Sequence, residues 1–157
     1  MDSKITILIA EDDANDVMLL ELAIRKNGIT SPVRVVRDGE EAVDYLEGKG
    51  EFADRKKFPV PTVIITDVKM PRRSGLEVLE WVRKDHQWRC LVVHVLTASI
   101  RDADVSRAYE LGANSYLVKP SRLDQLVAFA GALNKWHQFL CLPTRPKRQK
   151  PVAQKSG

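Results

Sequence analysis

The chain is predicted to fold as a doubly wound α/β domain, a five-stranded parallel sheet with helices on both faces. Three observations predict it. Short β-branched runs alternate with stretches whose apolar residues recur at helical spacing, in the order βαβαβαβαβα. One run, Thr62 to Thr66 (TVIIT), is apolar throughout between its threonines, as a strand covered on both faces must be. Four of the runs are each followed or closed by polar side chains: Glu11-Asp12, Asp67, Thr97 and Lys119. Open α/β sheets place their functional crevice beyond the carboxyl ends of the strands, where these residues would meet.

Each element has its own signal. Lys4 to Ala10 (KITILIA) is rich in β-branched residues and reads as the first strand. A helix over Asp13 to Asn27 follows, with Val17, Leu20 and Ile24 on one face and Gly28 as its stop. Val33 to Val36 is a short strand and Glu40 to Leu46 a helix. Gly48 to Pro61 is polar, with Gly, Lys and Pro, and is expected to be an exposed loop. After the TVIIT strand come a helix from Leu76 to Lys84, a strand from Leu91 to Leu96, a helix from Asp102 to Leu111 and a strand from Ser115 to Val118. From Leu123, apolar residues at 126, 130, 133 and 140 mark a long last helix that Pro143 must end. There is no internal repeat.

Size and charge narrow the function. At 157 residues and 44% apolar, the chain suits one domain with a real core. No run reaches the roughly 18 apolar residues of a membrane span, and the start, MDSKITILIAEDD, meets acids too early for a signal peptide. Cys90 and Cys141 have no metal-ligand spacing and read as reduced thiols of a cytoplasmic protein. The net charge of +4 belongs to the tail: from Pro143 onward stand Arg145, Lys147, Arg148, Lys150 and Lys155 with no acid. Without those five, 20 basic residues face 21 acidic ones, so the body is near neutral. The folded unit is expected over residues 1–142 and a basic, disordered tail over 143–157. The tail has no aromatic residue for base stacking, which argues against nucleic acid as a partner.

The strand-end residues carry a recognisable chemistry. Two adjacent acids, a third carboxylate, a hydroxyl and an ammonium are what Mg²⁺-dependent phosphoryl chemistry requires. Carboxylates about 4 Å apart repel by roughly 4 kcal/mol at an effective dielectric near 20. A divalent cation reverses that sign, and Mg²⁺ keeps several waters, so a few carboxylates suffice. Each residue also has a plainer reading. Asp12 and Asp13 could cap a helix, Thr97 could be an ordinary strand residue, and Lys119 could be a solvated lysine. Tyr116 could be a half-buried strand tyrosine. It is the conjunction that favours a site.

ILIAEDD, TDVKMPRRSG, VLTA and NSYLVKP, in that order, resemble the receiver domain of two-component response regulators. The intervals of 30 residues from Asp67 to Thr97 and 22 from Thr97 to Lys119 suit that family. The resemblance implies a flavodoxin-like (βα)5 fold with strand order 2-1-3-4-5. It implies Asp67 as phosphoacceptor from a sensor histidine kinase, not as part of an enzyme in its own right. Mg²⁺ or Mn²⁺ would be held by Glu11, Asp12, Asp67 and the Lys69 backbone carbonyl. Thr97 and Lys119 would meet the phosphoryl oxygens, and Pro120 would be a cis proline. Thr97 and Tyr116 would form the switch, changing the face made by the fourth helix, fifth strand and fifth helix (roughly residues 102–140).

EDDANDVMLLELA, VRDGEEAVDYLEGKGEFAD, ANSYLVKP and Trp136 are similar to regulators paired with bacterial phytochrome kinases, which are often dimers through the C-terminal face. Only 15 residues follow Leu142, so no output domain is expected after it. The departures are Lys69, two residues past Asp67, and Ser99, two past Thr97, both expected to reach the phosphoryl site. Lys69 also stands where an aspartyl-phosphate phosphatase would need its second acid. Glu11-Asp12-Asp13 would repel the phosphate of a flavin or nucleotide. The alternative within the same fold is a degenerate receiver that binds partners without phosphate. His86, His94 and His137 share no spacing and are assigned no role. Trp81 and Trp88 read as packing residues.

Overall fold

The apolar runs pair as the alternation predicts. In the computed structural model, which describes residues 5–143, β1 (Ile7–Ala10), β2 (Val33–Val36), β3 (Val63–Thr66), β4 (Val92–Thr97) and β5 (Ser115–Val118) form one parallel sheet in the order β2-β1-β3-β4-β5. β1, β3 and β4 are buried along their whole length, whereas the edge strands β2 and β5 are only partly covered. That difference is why TVIIT reads as continuous apolar sequence and SYLV does not.

Residue alternation sends side chains to two cores. Ile7, Ile9, Val63 and Ile65 face Leu20, Ala23 and Ile24 of α1 (Ala14–Lys26) and Leu126 and Ala130 of α5 (Leu123–Gln138). Leu8, Ala10 and Ile64 face Ala42, Tyr45 and Leu46 of α2 (Gly39–Glu47) and Val78, Leu79 and Val82 of α3 (Gly75–Lys84). A smaller cluster of Val68, Val95 and Ala108 seats α4 (Asp102–Glu110) against the same side. Trp88 is buried and Trp81 packs against the α2/α3 core, both as packing residues.

One expectation needs refinement and two need correction. The 48–61 stretch is exposed over about half its residues, as expected, but it is also anchored. Gly50–Ala53 forms a 3-10 turn that buries Phe52, and the Tyr45, Phe52 and Phe58 rings lie with centroids 5.1–6.0 Å apart. Two aromatics supply the apolar area that a polar loop lacks. Arg55 adds hydrogen bonds to the Tyr45 and Leu46 carbonyls at the end of α2, at 2.8 and 2.9 Å. Second, α5 stops at Gln138, ahead of Pro143. His137 is the last buried residue described, so little rewards another turn. Third, the Lys119–Pro120 peptide is trans, as are all the described peptide bonds, and the lysine reaches the crevice in that form. The expected disordered tail lies outside the described residues except for Pro143. No helix among the described residues is long and apolar enough to cross a membrane.

Candidate functional site

Parallel register delivers the strand ends to one place. Ala10 sits opposite Thr66, Thr66 opposite Val95, and Thr97 opposite Val118. Glu11, Asp67 and Lys119, each one residue past its strand, therefore emerge together with Thr97. Backbone bonds hold these first residues beyond the strands: Asp67 N–H donates to Ala10 O at 3.0 Å and Lys119 N–H to Thr97 O at 2.9 Å.

The turn after β3 is set by a glycine. A Cβ on Gly75 would lie 1.7 Å from the Asp67 carbonyl oxygen, so no other residue lets α3 start so close beneath the acid. α3 begins with a capping box between Ser74 and Glu77. Asp67 is half-buried, with its side chain 12% exposed.

Lys119 is the hub. Its Nζ donates to Glu11 Oε2 at 2.5 Å, Asp67 Oδ2 at 2.7 Å and Asp16 Oδ2 at 2.7 Å. Burial drives the Glu11 carboxyl up to about 7, against the pull of the Lys119 hydrogen bond. Burial also works to raise Asp67, but hydrogen bonds from Lys119 and then Thr97 outweigh it and hold that carboxyl below its ordinary value. Burial pulls Lys119 down, yet hydrogen bonds to Asp16, Asp67 and Glu11 leave it well above the usual lysine value. The site thus keeps an ionised Asp67 and a charged Lys119 side by side.

Glu11, Asp12 and Asp67 each offer a carboxylate oxygen within 4.8 Å of the others. Oxygen-only donors in that arrangement suit a hard divalent cation. The two readings of the acidic run separate cleanly: Asp13 is the N-cap of α1, accepting from Asp16 N–H at 2.9 Å, while Glu11 and Asp12 face the crevice cluster. Lys69 is exposed and lines the same open depression as Asp12. The Ser99 hydroxyl donates at 2.6 Å to Asp104, which lines that same depression. Tyr116 packs against the Val68–Val95–Ala108 cluster, behind the β4 end.

Two features escaped the sequence reading. Asp16 stands in the first turn of α1, where an acid ordinarily serves the helix dipole, and that place was the available signal. His94 and His137 form a buried pair, with their Nε2 atoms 3.3 Å apart and the His94 Nδ1 2.7 Å from the Ser115 hydroxyl. No spacing announces it.

Comparison with known proteins agrees with this arrangement. The family described as response regulator receiver domain matches residues 7–130. Response regulator Rcp1 of Synechocystis (strain PCC 6803) is 30% identical over 138 residues, 87% of this chain and 92% of Rcp1. The Mn(2+)-bound form of Rcp1 superimposes with a TM-score of 0.78, covering 88% of this chain and 99% of that one at 30% identity. The phosphorylated cyanobacterial phytochrome response regulator RcpA gives a TM-score of 0.82 at 31% identity, covering 90% of this chain and all of RcpA. The protein named "Probable methanogenesis regulatory protein FilR2", from Methanothrix harundinacea, is 36% identical over 123 residues, 76% of this chain and 75% of its own length. With its flavodoxin-like strand order and its strand-end acids, this chain belongs to the response regulator receiver domain family.

Proposed function

We propose that the chain is a single-domain response regulator whose Asp67 takes a phosphoryl group from a partner histidine kinase. One observation carries this reading: Lys119 and the Glu11–Asp12–Asp67 acids converge on a single half-buried aspartate at the sheet's carboxyl edge. Asp67 is ionised and so able to attack. As an Asp67 carboxylate oxygen forms its bond to phosphorus, the bond from phosphorus to the kinase's histidine nitrogen breaks, and that nitrogen takes up a proton. Lys119 provides a point charge for the phosphoryl oxygens, and Thr97 a hydroxyl donor. Mg²⁺ or Mn²⁺, held by Glu11, Asp12, Asp67 and the Lys69 carbonyl, would supply charge neutralisation at those oxygens.

The phosphoryl group adds close to two negative charges, enough to bias a two-state element. Thr97 and Tyr116 are that element, and the α4–β5–α5 face is the output. Exposed Tyr109, Val118, Trp136 and Phe139 on this face suit a homodimer or a protein target. RcpA is a phytochrome response regulator, which supports a bacterial phytochrome as the kinase; the cytoplasm is the place of action in this reading. Nucleic acid is not a partner in this reading.

The test is intact mass after incubation with acetyl phosphate and Mg²⁺. Wild type is expected to gain one phosphoryl group, and Asp67→Asn none. No gain in folded wild type would favour a receiver that binds its partners without phosphate.

A further inference from the structure

Lys119 has three N–H donors, and all three are taken by carboxylates, one of which belongs to neither the cation cluster nor the phosphoacceptor. That one is Asp16. Its backbone is pinned by the Asp13 cap at 2.9 Å, so its carboxylate is presented to the crevice from a fixed helical turn. The lysine side chain is 17% exposed, which leaves its ammonium little water to fall back on. Glu11 and Asp67 each hold the ammonium through one oxygen, and each also offers a carboxylate oxygen to the Glu11–Asp12–Asp67 cluster. A cation there draws on both carboxylates and so weakens two of the ammonium's three partners in a poorly solvated place. Asp16 is not in that cluster and can keep its bond.

We infer that Asp16 is a positioning residue for Lys119, holding the ammonium beside the crevice when Glu11 and Asp67 are engaged with a cation. This rests on the reading of the Glu11–Asp12–Asp67 cluster as a divalent-cation site. Without Asp16, the ammonium would compete harder for Glu11 and Asp67, so cation binding weakens although Asp16 is no ligand. Its charge also acts on the cation directly, and that part does not need the lysine. The two contributions are separable because only the first depends on Lys119.

The experiment is a Mn²⁺ titration followed by the electron paramagnetic resonance of the free ion. It uses the full chain as wild type, Asp16→Asn, Lys119→Met and the double variant, with circular dichroism as the check on folding. Asp16→Asn is expected to weaken Mn²⁺ binding roughly three- to tenfold in the wild-type background. In the Lys119→Met background the same change is expected to cost less, within about twofold. An equal loss in both backgrounds would mean that Asp16 acts by charge alone and would overturn the inference, as would unchanged binding in Asp16→Asn. Wild type that binds no Mn²⁺ would instead bring down the cation reading itself, and this inference with it.

Discussion

The Tyr116 hydroxyl donates to the Ser99 carbonyl at 2.8 Å, tying β5 to the loop that follows Thr97. The Tyr116 ring is half-buried and packs against the Val68, Val95 and Ala108 cluster. Burial raises the phenol above its ordinary value. Tyr116→Phe keeps the ring and removes the bond, so it should cost about 1 kcal/mol in urea unfolding. It should also loosen the 98–101 loop, read as faster amide exchange there than in wild type.

The His94–His137 pair makes stability depend on pH. Burial, and then the proximity of His137, lower His94 from 6.5 to about 4, and burial lowers His137 as well. Both are therefore neutral in the fold, while the unfolded chain protonates near 6.5. Between these values the unfolded state holds more protons, so stability is full above about pH 6.5 and declines as pH falls toward 4. The loss attributable to His94 is on the order of 3 kcal/mol. Glu11, raised to about 7, drives stability the opposite way over the same range, so the check is the difference between wild type and His94→Val in urea unfolding, which should narrow as pH falls from 6.5 toward 4.

Gly75→Ala tests the close approach beneath Asp67. The added Cβ would sit 1.7 Å from a backbone oxygen, which no rotamer can relieve. The expected cost is about 2–3 kcal/mol in urea unfolding, with slower phosphorylation by acetyl phosphate. Equal stability and an equal rate would show that the turn can shift at no cost.

Lys119→Met leaves Glu11 and Asp67 facing each other without their shared cation. With Glu11 buried and Asp67 half-buried, the fold should lose about 2–4 kcal/mol. Saturating Mg²⁺ should restore more of the variant's melting temperature than it adds to wild type, because the metal then supplies the missing positive charge. Differential scanning calorimetry with and without Mg²⁺ checks this.

The parts of the molecule legible in the sequence are those written in local pattern. TVIIT, buried on both faces, and the helical spacing of Val17, Leu20 and Ile24 report which faces are covered. Strand ends follow from those runs, so the meeting of Glu11, Asp67, Thr97 and Lys119 could be read before any coordinates. Other features depend on packing between distant segments. Phe52 joins the core because Tyr45 and Phe58 are brought to it, and a polar-looking loop becomes an anchored one.

Asp16 and Lys119 are 103 residues apart and His94 and His137 are 43 apart. The sequence by itself determined the strands, the helices and the acids that line the crevice, because periodicity encodes burial one element at a time. Only the tertiary structure decided that a first-turn aspartate would share the lysine and that two histidines would meet in the core. Such pairings depend on how α1 and α5 dock on the sheet, and no local pattern carries that angle.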